Sequence, residues 1–175
     1  VDNLFAAGES GRVPLVGITG SRGKTAVARV VAHLVHLSGR TVGLACSDGL
    51  QLGRRQVQKT DAANWAGGYR LLLNRAVDTA VIENGARVIL GEGLAYDRCS
   101  VGIVTNILPD AEDLARWDVH PSGGEFFTTY RNAYRTQVDV VLSDGCSVLN
   151  AEDEIVADLA DLSDGEVIYF AGDPD

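Results

Sequence analysis

The 175-residue sequence contains no methionine, three cysteines, four prolines and two tryptophans. Each scarcity excludes something. Cys46, Cys99 and Cys146 lack metal-ligand spacing, and an odd number cannot close a disulfide framework, so a reduced, cytoplasmic protein is expected. Trp65 and Trp117 are too few and too separated to form a base-stacking platform. No apolar run approaches the length of a membrane span, and no leader pairs a basic start with an apolar stretch and a small-residue cleavage site. Neither export nor membrane insertion is expected. The absence of methionine, even at position 1, predicts an excised or processed piece of a longer chain.

What is present is globular. Apolar residues make up 46% and charged residues 22%, and 20 glycines imply many tight backbone positions. The length suits one domain with its own core. Fifteen basic residues face 24 acidic ones, a formal net charge of −9, which argues against a nucleic-acid partner. Asp139 to Asp175 contains no Lys or Arg, whereas the basic residues cluster between Arg22 and Arg75. This asymmetry suits an anion-facing first half above a solvated acidic surface.

Along the chain, strand-length apolar runs alternate with helix-length segments. Val13–Thr19 reads as a buried strand, and Thr25–Ser38 has near-helical apolar spacing that ends at Gly39. Thr41–Cys46, Thr79–Ile82, Val101–Thr105, Val138–Leu142 and Glu166–Phe170 read as further strands. Helices are predicted from Ala63 to Asn74, capped by Asp61, and from Glu154 to Leu162. Leu108–Gly124 reads as a long irregular loop. The alternation predicts an α/β fold with three layers and a mainly parallel sheet. Residues 1–12 read as a linker and 13–175 as the domain.

The strongest chemical signal is Gly17-Ile18-Thr19-Gly20-Ser21-Arg22-Gly23-Lys24-Thr25, which follows a strand and opens a helix. That context is what a phosphate-binding loop (P-loop) requires. The glycines let backbone N–H groups turn toward an anion, Lys24 adds a mobile cation, and the Thr25 hydroxyl can bind Mg²⁺. Ile18 stands where the strict motif has its first glycine, so the match is to the shorter Gly-x-x-Gly-Lys-Thr form. Glu83 follows the strand Thr79–Ile82, at the sheet edge where such a loop lies. It is a candidate magnesium ligand with Thr25. Asp48-Gly49 reads as the start of a tight turn, and Tyr96–Cys99 as a junction held by local hydrogen bonds. Cys99 lacks a neighbouring histidine and reads as inert.

These residues resemble the central domain of Mur ligases, and most nearly the Mur-ligase-like domain of cyanophycin synthetases. The resemblance rests on the phosphate loop, Val42-Gly43-Leu44 with Ser47-Asp48-Gly49, and Glu83 to Leu94. Its most specific part is Glu92–Cys99 leading into Val101–Ile107; Val148–Asp153 and Val167–Phe170 extend it. It implies an ATP- and Mg²⁺-dependent amide ligase, which activates a carboxylate as an acyl phosphate and couples it to an amine. In the nearest family the amine is arginine and the acceptor an aspartate side chain. Lys24 and Glu83 are then the catalytic candidates, and Thr25 with Glu83 the metal ligands. Gly20, Ser21, Arg22, Gly23, Lys24, Thr25 and Asn106 are implied to bind the nucleotide. The implied partners are ATP, an acidic peptide or amino acid, and the remaining domains of a parent ligase; homo-oligomerisation is left open.

The sequence also departs from that pattern. Asp110-Ala111 replaces the family's Asp-His pair, and Phe126–Thr136 offers Arg131 and Arg135 but not its metal-serving lysine. Arginine cannot form the carbamate that such a lysine carries. His120 in the nearby loop reads as surface polar. Arg22, Ala26 and Gly85-Ala86-Arg87-Val88 also differ from the family's residues, and loss of the second-metal site is expected. Two alternatives therefore stand: a degenerate, non-catalytic module of the same fold, or another P-loop phosphotransferase. A GTPase is disfavoured because no Asn-Lys-x-Asp guanine motif is present.

Overall fold

The computed structural model describes residues 11–108 and 125–172. Eight strands form one sheet: β1 (Leu15–Thr19), β2 (Val42–Cys46), β3 (Gly49–Leu52), β4 (Arg55–Gln58), β5 (Thr79–Glu83), β6 (Cys99–Val104), β7 (Val141–Asn150) and β8 (Glu166–Phe170). Their spatial order is β4-β3-β2-β5-β1-β6-β7-β8. The six strands from β2 to β8 in that order are parallel, and β3 and β4 add an antiparallel edge. The helices are α1 (Lys24–Leu37), α2 (Trp65–Leu72), α3 (Ala86–Gly91), α4 (Glu125–Asp139) and the short α5 (Glu154–Ala157), which continues as a 3₁₀ turn over Asp158–Leu162.

The sheet is covered on both faces, so its central strands carry apolar residues in both directions. Every residue of β1, β2 and β5 is buried. On one face Val16, Ile18, Val42, Leu44 and Val81 pack on Ala28 and Ala32 of α1. On the other, Leu15, Ala45, Ala80 and Ile82 pack with Leu71 of α2. Beyond β6, Val104 and Leu149 pack with Ile89 of α3, Tyr130, Ala133, Tyr134 and Val138 of α4, and Val156 of α5. The three-layer, mainly parallel α/β expectation is met.

Two local expectations are corrected, and two are met with an addition. The apolar run Val138–Leu142 is not one strand, because Val138 is a buried residue of α4 and β7 begins at Val141. Helix α2 starts later than predicted and is capped by Asn64, whose Oδ1 accepts from Gly67 N at 2.9 Å; Asp61 instead accepts from Ala63 N at 2.8 Å. Asp48-Gly49 does lie at a turn, but that turn joins β2 to β3, a hairpin extension the sequence did not suggest. The Tyr96–Cys99 junction has local bonds, from the Asp97 and Arg98 backbone to the Asp97 carboxylate, but distant partners hold it as well: Tyr96 by Asn84 and Gln137, Asp97 by Arg12. The Leu108–Gly124 loop reading, with Asp110, Ala111, Trp117 and His120, lies mostly outside the described residues.

Parallel pairing sets the edge at which the candidate residues meet. Ile18 of β1 sits in register with Glu83 of β5, and Thr19 with Val104 of β6. The loop after β1, the end of β5 and the turn after β6 therefore emerge side by side. Beneath them the Tyr96 hydroxyl accepts from Asn84 Nδ2 (2.9 Å) and donates to Gln137 Oε1 (2.7 Å). Gly17 passes directly under this network: a Cβ there would collide with the Tyr96 hydroxyl and the Gln137 amide. Gly17→Ala is expected to destabilise the domain by about 1–3 kcal/mol through overpacking. A lower denaturant midpoint at unchanged slope would register this, and an unchanged midpoint would refute it.

Candidate functional site

The loop between β1 and α1 is shaped by two glycines in the positive-φ region. Gly20 has φ +134°, and a Cβ on it would collide with Thr105 Oγ1. Gly23 has φ +80° and immediately precedes α1, with open space in front of it. Helix α1 has neither a side-chain N-cap nor an acidic residue in its first turn. Its first N–H groups and the positive end of its dipole are thus left to an anion.

A brace from the turn after β6 holds the loop from behind. Thr105 Oγ1 donates to Arg22 O at 2.7 Å. The Asn106 side chain accepts from Arg22 N at 2.8 Å and donates to Arg22 O at 3.1 Å, while its carbonyl accepts from Ser21 N at 2.9 Å. Asn106 thus spends both ends of its amide on the loop backbone. Ser21 Oγ lies against Leu108 and within 3.3 Å of the Tyr134 hydroxyl on α4. Behind the turn, Asn150 Nδ2 donates to Thr105 O at 2.9 Å, and Asp153 Oδ2 accepts from Ile107 N at 2.7 Å.

In front of the loop lies a cavity of about 460 Å³ lined by Gly20–Thr25, Ser47, Asp61, Glu83, Arg87 and Tyr134, among others. Glu83 is only 1% exposed. Its carboxylate accepts from Thr25 Oγ1 (3.0 Å), Ser47 N (2.9 Å) and Ser47 Oγ (3.1 Å). Burying a carboxylate is costly unless it is fully hydrogen-bonded, and this one is held by three donors. Lys24 folds over the loop, with its Nζ donating to Ser21 O at 3.2 Å.

The sequence-predicted residues Gly20, Ser21, Arg22, Gly23, Lys24, Thr25 and Glu83 converge on this cavity, with Asn106 bracing them. Sequence reading missed Ser47, Asn84 and Tyr134 as parts of the site. Ser47 was detectable as the residue after β2, at the same sheet edge. Tyr134 was not, because it reaches the loop only through the packing of α4. Arg135 turns away from the loop to pair with Asp139 at 3.1 Å. Among the described residues no group of three or more His, Cys, Asp or Glu side chains is placed to hold a metal ion by itself.

A larger recess, about 830 Å³, opens at the opposite edge of the sheet and includes Arg12, Asp97 and Cys99. Arg12 and Asp97 neutralise each other there in a two-pronged ion pair. Burial pushes the Cys99 thiol up to about 12, so it is no nucleophile near neutral pH. The loop cavity, with its uncapped helix and buried carboxylate, is therefore the candidate site.

Residues 18–173 match the family model described as the Mur ligase middle domain. The chain belongs to the Mur ligase family. This Mur ligase middle domain is 37% identical to a cyanophycin synthetase of Crocosphaera subtropica over 177 aligned residues, covering 100% of the chain and 19% of the relative. It is 34% identical to that of Synechocystis sp., with the same coverages. The chain thus spans about a fifth of the length of these relatives. Among solved structures it resembles UDP-N-acetylmuramoyl-L-alanyl-D-glutamate–2,6-diaminopimelate ligase, with a TM-score of 0.68 at 15% identity over 91% of this chain and 32% of that one. It also resembles E. coli FolC in complex with DHPP and ADP, with a TM-score of 0.59 at 13% identity over 91% of this chain and 42% of that one. At these identities the structural likenesses establish the fold.

Proposed function

We propose that this middle domain is the nucleotide-binding part of an amide ligase, which uses ATP to activate a carboxylate as an acyl phosphate and couples it to an amine. One observation carries the reading: the uncapped start of α1, with Lys24 and Thr25, faces a buried glutamate across a cavity that can admit a phosphate chain. The loop amides and Lys24 would receive the outer phosphates. Thr25 Oγ1 and Glu83 Oε1, 3.0 Å apart, are hard oxygen donors of the kind Mg²⁺ takes. When bound, the ion supplies charge neutralisation on the phosphate oxygens.

The chain's own residues mainly orient and stabilise. The substrate carboxylate oxygen bonds to the terminal phosphorus as the bond to the bridging oxygen breaks, releasing ADP. The amine nitrogen then bonds to the acyl carbon, phosphate leaves, and the nitrogen loses a proton. An acidic peptide as acceptor and arginine as amine are the substrates we propose, with the remaining domains of the parent protein supplying the other walls. The full-length protein, given Mg²⁺, ATP, an aspartate-containing peptide and arginine, is expected to release one ADP per amide bond formed. Failure to bind ATP in a Mg²⁺-dependent manner by calorimetry would rule the reading out.

A second reading, a binding module without turnover, is favoured by one feature. Among the described side chains of α4, the one that reaches the loop is the phenol of Tyr134, which is not a metal-binding group of the expected kind. Tight ATP binding without ADP release would select it.

A further inference from the structure

The activation step brings two anions together, a carboxylate and a triphosphate. The loop side of the cavity serves the phosphates with Lys24 and the start of α1. On the α3 wall, formed by Gly85, Ala86, Arg87 and Val88, the one basic residue is Arg87. We propose that Arg87 is the substrate-carboxylate clamp of this domain, seating the acceptor carboxylate against the terminal phosphate. The inference rests on the ligase reading above and names the residue that recognises its acceptor.

Two sets of observations support the assignment. First, most of the described arginines have partners: Arg12 pairs with Asp97, Arg29 with Asp48, Arg98 with Asp164 and Arg135 with Asp139, while Arg40, Arg54 and Arg70 bond to Thr79, His36 and Gln58. Among the described residues, Arg87 has neither an ion pair nor a side-chain hydrogen bond, and it is exposed on the cavity wall. An unpaired guanidinium there presents a planar fork that matches a carboxylate in two-pronged fashion, which an ammonium cannot do.

Second, the backbone leading to Arg87 is held firmly relative to the metal-binding candidates. It lies four residues after Glu83, and the intervening Asn84 is tied by three bonds. Asn84 N donates to Ile18 O (2.8 Å), its Nδ2 to the Tyr96 hydroxyl (2.9 Å), and its carbonyl accepts from Thr19 Oγ1 (2.8 Å). Asn84 itself is 2% exposed. The start of α3 is therefore fixed to the end of β1, from which the phosphate loop springs. A clamp needs such a rigid base, because small misplacements at a reacting centre are expensive.

The test uses the full-length protein with Arg87→Met, Arg87→Lys and Arg87→Ala. Arg87→Met is expected to raise the acceptor-peptide KM at least about tenfold while leaving Mg·ATP affinity within about twofold. In calorimetry with a non-hydrolysable ATP analogue in place, the same variant should bind an aspartate-containing peptide about tenfold more weakly. Arg87→Lys should recover only part of the loss, and free guanidinium should restore turnover to Arg87→Ala, which a merely structural role would not allow. Unchanged peptide binding and KM in Arg87→Met overturn this inference alone. Absence of ATP binding by the unaltered protein overturns the ligase reading and this inference together.

Discussion

The substitution Glu83→Gln is expected to leave the domain folded while lowering ligation by the full-length protein about 10²–10³-fold. The fold should survive because the side chain keeps its shape and its partners are adaptable. The amide carbonyl introduced there can still accept from Ser47 N, and the Thr25 and Ser47 hydroxyls can rotate to accept from the new NH₂ group. Removing a buried charge also removes its desolvation cost, so the thermal midpoint should hold or rise. What disappears is the carboxylate oxygen beside Thr25, and with it, on the proposed function, the group that would hold Mg²⁺ against the phosphates. Titrating ATP with and without Mg²⁺ checks this directly. The variant should bind nucleotide with little dependence on the ion, and full activity in Glu83→Gln would remove Glu83 from the proposed metal site.

The second large effect is at Lys24. Lys24→Ala should weaken Mg·ATP binding about 100-fold, or ~2.7 kcal/mol, with no loss of stability. Its Nζ donates to Ser21 O at 3.2 Å, and it crosses a loop that the Thr105–Asn106 brace holds independently. A hydrogen bond to a charged group in a partly enclosed site is worth ~1.5–3 kcal/mol, and Lys24 would supply more than one. Calorimetry on the variant and the unaltered protein provides the comparison. Equal affinities would mean that the loop does not bind phosphate through Lys24.

The parts legible in the sequence share a physical cause. The β1–loop–α1 unit is encoded locally: a fully buried strand, glycines where φ must be positive, and a helix whose apolar spacing meets the sheet. The placement of its candidate residues could be read one by one because Lys24 and Thr25 are bound to the loop by covalent continuity. Glu83 was legible for a similar reason, since parallel strands bring all their C-terminal ends to one edge. The β3–β4 extension was not legible because its strands are four residues each and one of them is Arg-Gln-Val-Gln, which carries no apolar alternation. The start of β7 was misread because an apolar run straddles a helix end and a strand start, and Ser143-Asp144-Gly145 inside the strand resembles a turn.

By itself, then, the sequence determined the fold class, the family resemblance, the glycine-rich loop that opens α1 and the carboxylate at the sheet edge. Only the tertiary structure decided how those residues are held: Glu83 by Ser47 and Thr25, the loop by Asn106 and Thr105, and Ser21 by Tyr134. It also decided which cation among the described residues stands unpaired on the cavity wall, since whether an arginine has a partner depends on folded neighbours. The first group rests on periodicity and covalent sequence, which act over a few residues. The second rests on contacts between residues 36 to 113 positions apart, or on their absence, and those exist only once the sheet has assembled.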